Sequence, residues 1–141
     1  MTVFNVGYGM SFNPKYNLLC SQAILKYQPN IRWNAKLIMS EDLFYKQKNY
    51  RAWTAMGEYR MNLNKSGFPL LLGTSLGISD AKYTDTESNY HHQFIVPQLS
   101  LSKRTSKFFT WELFYNFPIP LDRTNTNIKS YQQIGIALYI F

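Results

Sequence analysis

The chain of 141 residues suits one domain, and we expect residues 1–141 to form it. Its single cysteine, Cys20, excludes an internal disulfide and a multi-cysteine zinc site. No run of about 18 consecutive apolar residues is present, which excludes a transmembrane helix. The net charge of +7 suits nucleic acid or anionic surfaces, but the basic residues form no stripe and no nucleic-acid motif accompanies them, so we predict no nucleic-acid partner.

The first ten residues, MTVFNVGYGM, lack the basic region of a secretory signal peptide. They pass directly into an alternating pattern. The sequence therefore predicts either a cytoplasmic protein or a mature chain from which a leader has been removed.

A period of two residues begins there and dominates the chain, which indicates β-strands rather than helices. In residues 4–12 the large side chains Phe4, Tyr8 and Phe12 share one face, and Asn, Gly and Ser occupy the other. We therefore predict an all-β fold with eight antiparallel up-and-down strands of roughly ten residues each. The strands are expected at residues 4–12, 18–28, 32–40, 51–62, 70–79, 92–102, 108–117 and 131–141.

The connectors between these strands are predicted to alternate in length. Long connectors are expected at residues 41–50, 80–91 and 118–130, while residues 29–30 and 103–107 form short turns. Pro97 interrupts the sixth strand, and because proline cannot donate to a ladder, we expect a local bulge there.

Two closed barrels fit eight such strands, a soluble lipocalin-like barrel with its apolar face inside and a membrane barrel with that face outside. The polar face of the first and fifth strands carries mainly Gly and Ser, which are poor surface strand formers but fit a narrow lumen. Strands of about ten residues also match the length that crosses a bilayer at a tilt. We therefore predict a transmembrane β-barrel whose lipid-facing aromatic residues include Tyr8, Trp33, Trp53, Tyr59, Trp111 and Tyr115.

The final residues, SYQQIGIALYIF, complete this picture. Tyr139 and Phe141 resemble the C-terminal assembly signal of bacterial outer-membrane proteins, and the chain resembles the small eight-stranded barrels of the OmpA/OmpX type. The resemblance implies the outer membrane of a Gram-negative bacterium, insertion by the barrel-assembly machinery, and both termini on the periplasmic side. It also implies contact with outer-membrane lipid and lipopolysaccharide, and allows protein partners in an outer-membrane complex.

The register of the last strand stays open at this point. If Tyr139 and Phe141 face lipid, Gln133 and Gly135 face it too, and the aliphatic residues between them point inward. The opposite phase places those aliphatic residues against lipid.

Charged residues on the polar face are expected to pair inside the lumen, because an unpaired charge in a narrow interior is costly. They predict an ion-pair network that fills the barrel; a gate or a narrow ion path is the alternative. The network is expected to comprise Lys26, Arg32, Lys36, Glu58, Arg60 and Glu112.

An enzymatic alternative is a lipid A deacylase or acyltransferase, which needs a serine beside a histidine and an orienting acid. The candidates are His92, Ser100 or Ser102, and Glu112, although the tight His-x-Ser spacing of the deacylases is absent. The adjacent His91 and His92 point to opposite faces of a strand, so they do not predict a metal site, and no cofactor is predicted.

The sequence therefore predicts a non-catalytic barrel with a structural, surface-attachment or complex-subunit role in the envelope. The lipid A-modifying enzyme and a soluble ligand-binding barrel stay open as alternatives. Cations in the connectors are expected either to contact lipopolysaccharide phosphates or to be ordinary solvated charges. These cations are Lys46, Lys48, Arg51, Lys82, Arg123 and Lys129.

Overall fold

The computed structural model describes residues 3–13, 18–30, 32–42, 48–63, 70–85, 88–104, 109–121 and 132–140. No helix within these ranges is long and apolar enough to cross a membrane. The described residues form nine β-strands: β1 Val3–Asn13, β2 Leu18–Gln28, β3 Trp33–Asp42, β4 Lys48–Asn62, β5 Leu70–Asp85, β6 Ser88–Arg104, β7 Phe109–Asn116, β8 Ile119–Pro120 and β9 Gln133–Ile140.

Each strand is antiparallel to its neighbours in the sheet, and pairing between β5 and β6 closes the sheet into a barrel. The two-residue strand β8 pairs with the same edge of β6 as β7 does, and in the same register. Consequently β7 and β8 are two pieces of one barrel strand. The prediction of an eight-stranded antiparallel barrel is confirmed.

The strands are staggered as barrel closure requires. A circuit of paired residues that starts at Phe109 returns to the same barrel strand at Ile119, ten residues further along. Every side chain on this circuit is apolar. We call these residues the apolar ring: Phe109, Ile140, Val6, Leu25, Leu37, Ala55, Ile78, Ile95 and Ile119.

Burial follows the two-residue period, with the apolar face outside. Leu76 and Ile78 are 64% and 65% exposed, whereas Lys26 and Glu58 are 1% and 0% exposed. A water-soluble barrel shows the reverse distribution, because apolar burial drives its folding. The predicted orientation of the two faces is therefore confirmed across the described strands.

Two of the predicted long connectors are wrong. Strands β3 and β4 extend into residues 41–50, and β5 and β6 replace most of residues 80–91, so that only residues 86–87 separate them. Tyr83 pairs with Tyr90 and Asp85 with Ser88 in this hairpin. The polar composition of the segment suggested a loop, but cross-strand pairing extends the ladder past the apolar ring.

The predicted bulge at Pro97 is also wrong, because the register is the same on both sides of it. The backbone N–H of Phe117 donates to the Pro97 oxygen at 3.0 Å. In an antiparallel pair the N–H and C=O of a residue face the same neighbour. The missing proline N–H therefore costs one bond toward Phe117, and this lies at the break between β7 and β8.

The phase of the last strand is settled by its burial pattern. Tyr139 is fully buried in the lumen, while Ile134, Ile136, Leu138 and Ile140 are about half exposed on the outside. A lipid-facing Tyr139 is therefore wrong, because exposing four aliphatic side chains satisfies the outer face better than exposing Gln133 and Gly135. Phe141 lies outside the described residues.

Gly77 on β5 and Gly57 on β4 are expected to differ in how a larger side chain changes the free energy of unfolding. A Cβ on Gly77 would lie 2.7 Å from the Ala55 oxygen and 2.6 Å from the Met56 Cβ, whereas a Cβ on Gly57 meets nothing within 4 Å. We expect Gly77→Val to lower the free energy of unfolding by about 1–3 kcal/mol through overpacking. Gly57→Val should leave it unchanged or raise it by a fraction of about 1 kcal/mol.

Urea unfolding of both variants after refolding in detergent micelles measures this difference. Equal stabilities for the two variants would contradict the inward packing of Gly77.

Candidate functional site

Five of the six predicted network residues lie in the lumen, in the half of the barrel nearer the chain ends. Lys36 on β3 occupies the centre of this cluster. Its ammonium donates to Glu58 Oε2 at 3.0 Å and to Glu112 Oε1 at 2.9 Å, and it lies 3.4 Å from Gln98 Oε1. One cation thus joins two carboxylates from β4 and β7, which lie on different sides of the barrel.

Glu58 receives further donors from three other strands. Asn34 Nδ2 donates to Oε1 at 2.8 Å, and the hydroxyls of Ser75 and Ser100 each donate to Oε2 at 2.9 Å. A carboxylate withdrawn from water needs such donors to offset its desolvation. The small serines predicted to line the lumen therefore act as hydrogen-bond donors to a buried charge.

Glu112 is held by Lys26 and Tyr139 as well as by Lys36. Lys26 Nζ lies 3.8 Å from Glu112 Oε2, and the Tyr139 hydroxyl donates to Oε1 at 3.2 Å. The Lys26 ammonium also sits 3.8 Å from the centre of the Tyr139 ring, a cation–π contact. The cluster is therefore closed on its β2 and β9 side by an aromatic ring as well as by charges.

Arg60 gives the lumen one more cation than it has carboxylates among the described residues. Arg60 is 4% exposed, and its Nε lies 4.0 Å from Glu58 Oε1. Its Nε and Nη2 have no hydrogen-bond partner among the described residues. A long ion pair thus joins Arg60 to the network.

Arg32 is the one network prediction that is wrong. It is exposed and precedes the first residue of β3, Trp33. The Asn30 side chain accepts from the backbone N–H groups of Arg32 and Trp33 at 2.9 and 2.8 Å, which forms a turn at the barrel mouth. The alternation places Arg32 on the inward face, and its backbone oxygen still accepts from the Arg60 N–H at 2.7 Å, but β3 begins only at Trp33 and the Arg32 side chain is exposed.

Among the described residues, the other half of the lumen combines uncharged polar side chains with apolar ones. Thr54 donates to Ser79 at 3.1 Å, Gln22 to Ser11 at 3.3 Å, and Gln98 to Asn116 at 2.6 Å. A cavity of about 20 Å³ remains here, enough for about one water molecule. Its lining includes Gln22, Thr54, Met56, Phe94, Val96 and Asn116.

The six predicted lipid-facing aromatic residues all lie on the outward-facing positions of the strands. Tyr8, Trp33 and Trp53 are more than half exposed. Trp33 and Tyr59 contact each other edge to face with ring centroids 4.8 Å apart, so Tyr59 is only partly exposed. Trp111 is likewise partly exposed, and Tyr115 is 37% exposed.

The structure does not bring the candidate catalytic residues together. His92 pairs with Ala81, eight residues along β6 from Ser100, which is roughly 27 Å at the rise of a strand. Ser102 and Glu112 pair with each other but lie still further from His92. The described residues also contain no group of three or more His, Cys, Asp or Glu that could hold a metal ion.

Among the cations predicted in the connectors, Arg51 and Lys82 are exposed on strands β4 and β5. Lys48 is the first residue of β4. Lys46, Arg123 and Lys129 lie outside the described residues.

Sequence reasoning missed the polar partners that complete the network. The sequence predicts an assembly signal at Tyr139 and a catalytic candidate at Ser100, but both of these residues and Ser75 donate to buried carboxylates. Their inward parity was visible in the alternation. Which carboxylate each one reaches depends on the stagger between strands, which periodicity alone does not define.

No protein-family model and no curated protein matches this sequence. Solved structures do match over 99% of the chain. The N-terminal β-barrel domain of OprF from Pseudomonas aeruginosa aligns over 96% of its own length with a TM-score of 0.72 and 8% identity. Neisserial surface protein A aligns over 94% with a TM-score of 0.58 and 11% identity, and Ail from Yersinia pestis over 95% with a TM-score of 0.55 and 12% identity.

The class of this protein follows from its closed sheet, its apolar exterior and ion-paired interior, and these structural matches. Its fold is that of the small eight-stranded outer-membrane β-barrels. At 8–12% sequence identity the likeness concerns the fold.

The network predicts a large cost for removing its central cation. We expect Lys36→Met to lower the free energy of unfolding by about 3–5 kcal/mol, because Glu58 and Glu112 would keep their buried charges without it. The double variant Lys36→Met/Glu58→Gln should recover part of this loss, since one carboxylate is then neutral.

Urea unfolding of the refolded barrel in micelles, followed by tryptophan fluorescence, measures both values. Lys82→Met removes the same side chain from an exposed position and serves as the control, with an expected change within about 0.5 kcal/mol. A Lys36→Met variant as stable as the unmodified protein would contradict the central role of Lys36.

Proposed function

We propose that this protein is a non-catalytic β-barrel of the Gram-negative outer membrane with a structural, surface-attachment or complex-subunit role. The observation that carries the proposal is the inverted distribution of side chains. Val6, Leu76 and Ile78 are each more than 60% exposed, while Lys36 and Glu58 are paired at 3.0 Å in the lumen. Hydrocarbon around the barrel accounts for an exterior of this kind, and water does not.

The occupied lumen supports a structural role over open conduction. Charged side chains from four strands, β2, β3, β4 and β7, meet around Glu58 and Glu112, and a cavity of about 20 Å³ lies in the other half of the lumen. A barrel of eight strands leaves an interior just wide enough for side chains to fill. We infer that the interior network makes the barrel rigid and closes it to solutes.

The matched structures support a role at the cell surface. One is a domain described as a β-barrel, one is described as a surface protein, and one as an attachment invasion locus protein. The lipid A-modifying alternative gains no support from the strand register, because His92 lies far from Ser100 and Ser102. Recognition of Tyr139 and Phe141 by the barrel-assembly machinery and contact with lipopolysaccharide stay predictions.

Membrane fractionation and heat-modifiable migration on detergent gels test the proposal. We expect the protein in the outer-membrane fraction, with a folded band that migrates differently from the heated one. Recovery of a soluble monomer without detergent would contradict it.

A pair of arginine variants tests the lipid-facing orientation itself. Leu76→Arg places a charge on the outward face of β5, two residues before Ile78 of the apolar ring. We expect it to lower the free energy of unfolding in bilayers by about 2–4 kcal/mol. Leu121→Arg, beyond the apolar ring and 47% exposed, should cost about 0–1 kcal/mol. In a barrel surrounded by water both variants would have the same small effect, which is the contrary outcome.

A further inference from the structure

The two ends of the barrel differ in charge. We define the terminal rim as the end where β1 begins and β9 ends, and where residues 29–32, 63–69 and 105–108 connect neighbouring strands. The opposite end, where the hairpin of β5 and β6 closes, is the loop rim. Asp and Glu residues are distributed unevenly between these two rims.

The chain contains eight Asp and Glu residues. Glu58 and Glu112 lie in the lumen. Among the described residues of the terminal rim there is no Asp or Glu, and the sequences of residues 64–69 and 105–108 contain none either. Four of the remaining six, Glu41, Asp42, Asp80 and Asp85, lie in the strands near the loop rim, and Glu87 and Asp122 lie outside the described residues.

Basic residues occupy the terminal rim instead. Arg32, Lys103 and Arg104 are exposed there. Arg32 precedes β3, whereas Lys103 and Arg104 end β6, with β4 and β5 between those strands. The cations are therefore spread around the rim and do not form one pocket, which fits a surface of many anions better than a single ligand.

Aromatic side chains lie next to these cations on the outer wall. Trp33 follows Arg32 directly and contacts Tyr59, and Lys103 pairs with Trp111 across strands β6 and β7. Phe4 and Tyr27 add a second ring pair at 5.1 Å, near the start of β1 and the end of β2. Aromatic girdles mark the level of lipid headgroups in barrels of this class. In a bilayer around this wall, the cations would therefore lie at the height of the phosphates of one leaflet.

We propose that the terminal rim binds anionic phospholipid headgroups in the leaflet that it contacts. The proposal rests on the proposed membrane location. Basic residues near an anionic bilayer surface attract it additively, and no carboxylate in the described part of this rim opposes them. At the loop rim, by contrast, Arg51 is paired with Glu41 at 3.6 Å, and Asp80 lies on the same outward face of β5 as Lys82.

Lipid selectivity of the reconstituted barrel tests the proposal. The protein is refolded into vesicles of phosphatidylcholine with and without phosphatidylglycerol, and spin-labelled forms of both lipids report their relative association. We expect the unmodified protein to prefer phosphatidylglycerol. Arg32→Gln/Lys103→Gln should bring the ratio of the two association constants to about one at low salt.

Arg51→Gln/Lys82→Gln is the matched control, because it also removes one exposed Arg and one exposed Lys, from the loop rim. It should keep most of the preference. An equal loss in both variants, or no preference in the unmodified protein, would overturn the proposal and would leave an acidic protein partner as the occupant of this rim.

Failure of the proposed function gives a different result. If the chain is no membrane barrel, none of the three proteins inserts into pure phosphatidylcholine vesicles or shows heat-modifiable migration. If only the lipid proposal is wrong, the unmodified protein and both double variants insert equally well, and their preferences for phosphatidylglycerol do not differ.

Discussion

The ion pairs of Lys36 with Glu58 and Glu112 are the interaction on which the interior of this barrel depends. They join β3, β4 and β7 across the lumen at 2.9–3.0 Å, so that strands that are not neighbours in the sheet are connected through its centre. The lumen also holds a cluster of buried apolar side chains, which includes Ile24, Ile38, Phe94 and Val96. The polar contacts are directional and costly when incomplete, so they specify which strands face each other across the lumen.

The outer wall places a second constraint on the sequence. The apolar ring runs once around the barrel and returns ten residues further along, and each strand contributes one aliphatic or aromatic side chain to it. Between these positions the same strands must supply small or charged residues to the lumen. Gly73 shows how tight that interior is, because a Cβ there would lie 2.7 Å from Glu58 Oε2. Gly73 is thus required by the volume of the network.

The two ends of the barrel differ from each other in surface charge. The terminal rim is basic, and the loop rim mixes both signs along an extended β5–β6 hairpin. The two rims therefore differ in the charge that they present to a binding partner.

The sequence by itself predicted the number of barrel strands and the orientation of their two faces, because the two-residue period indicates strands and the Gly-Ser polar face fits a narrow lumen better than an exposed surface. It also identified five of the charged residues that meet in the lumen. Only the tertiary structure decided which of them pair, that Arg32 lies outside at the mouth, and that Tyr139 points inward. These outcomes depend on the stagger between strands and on where each strand ends, and both are set by contacts between residues far apart in the chain.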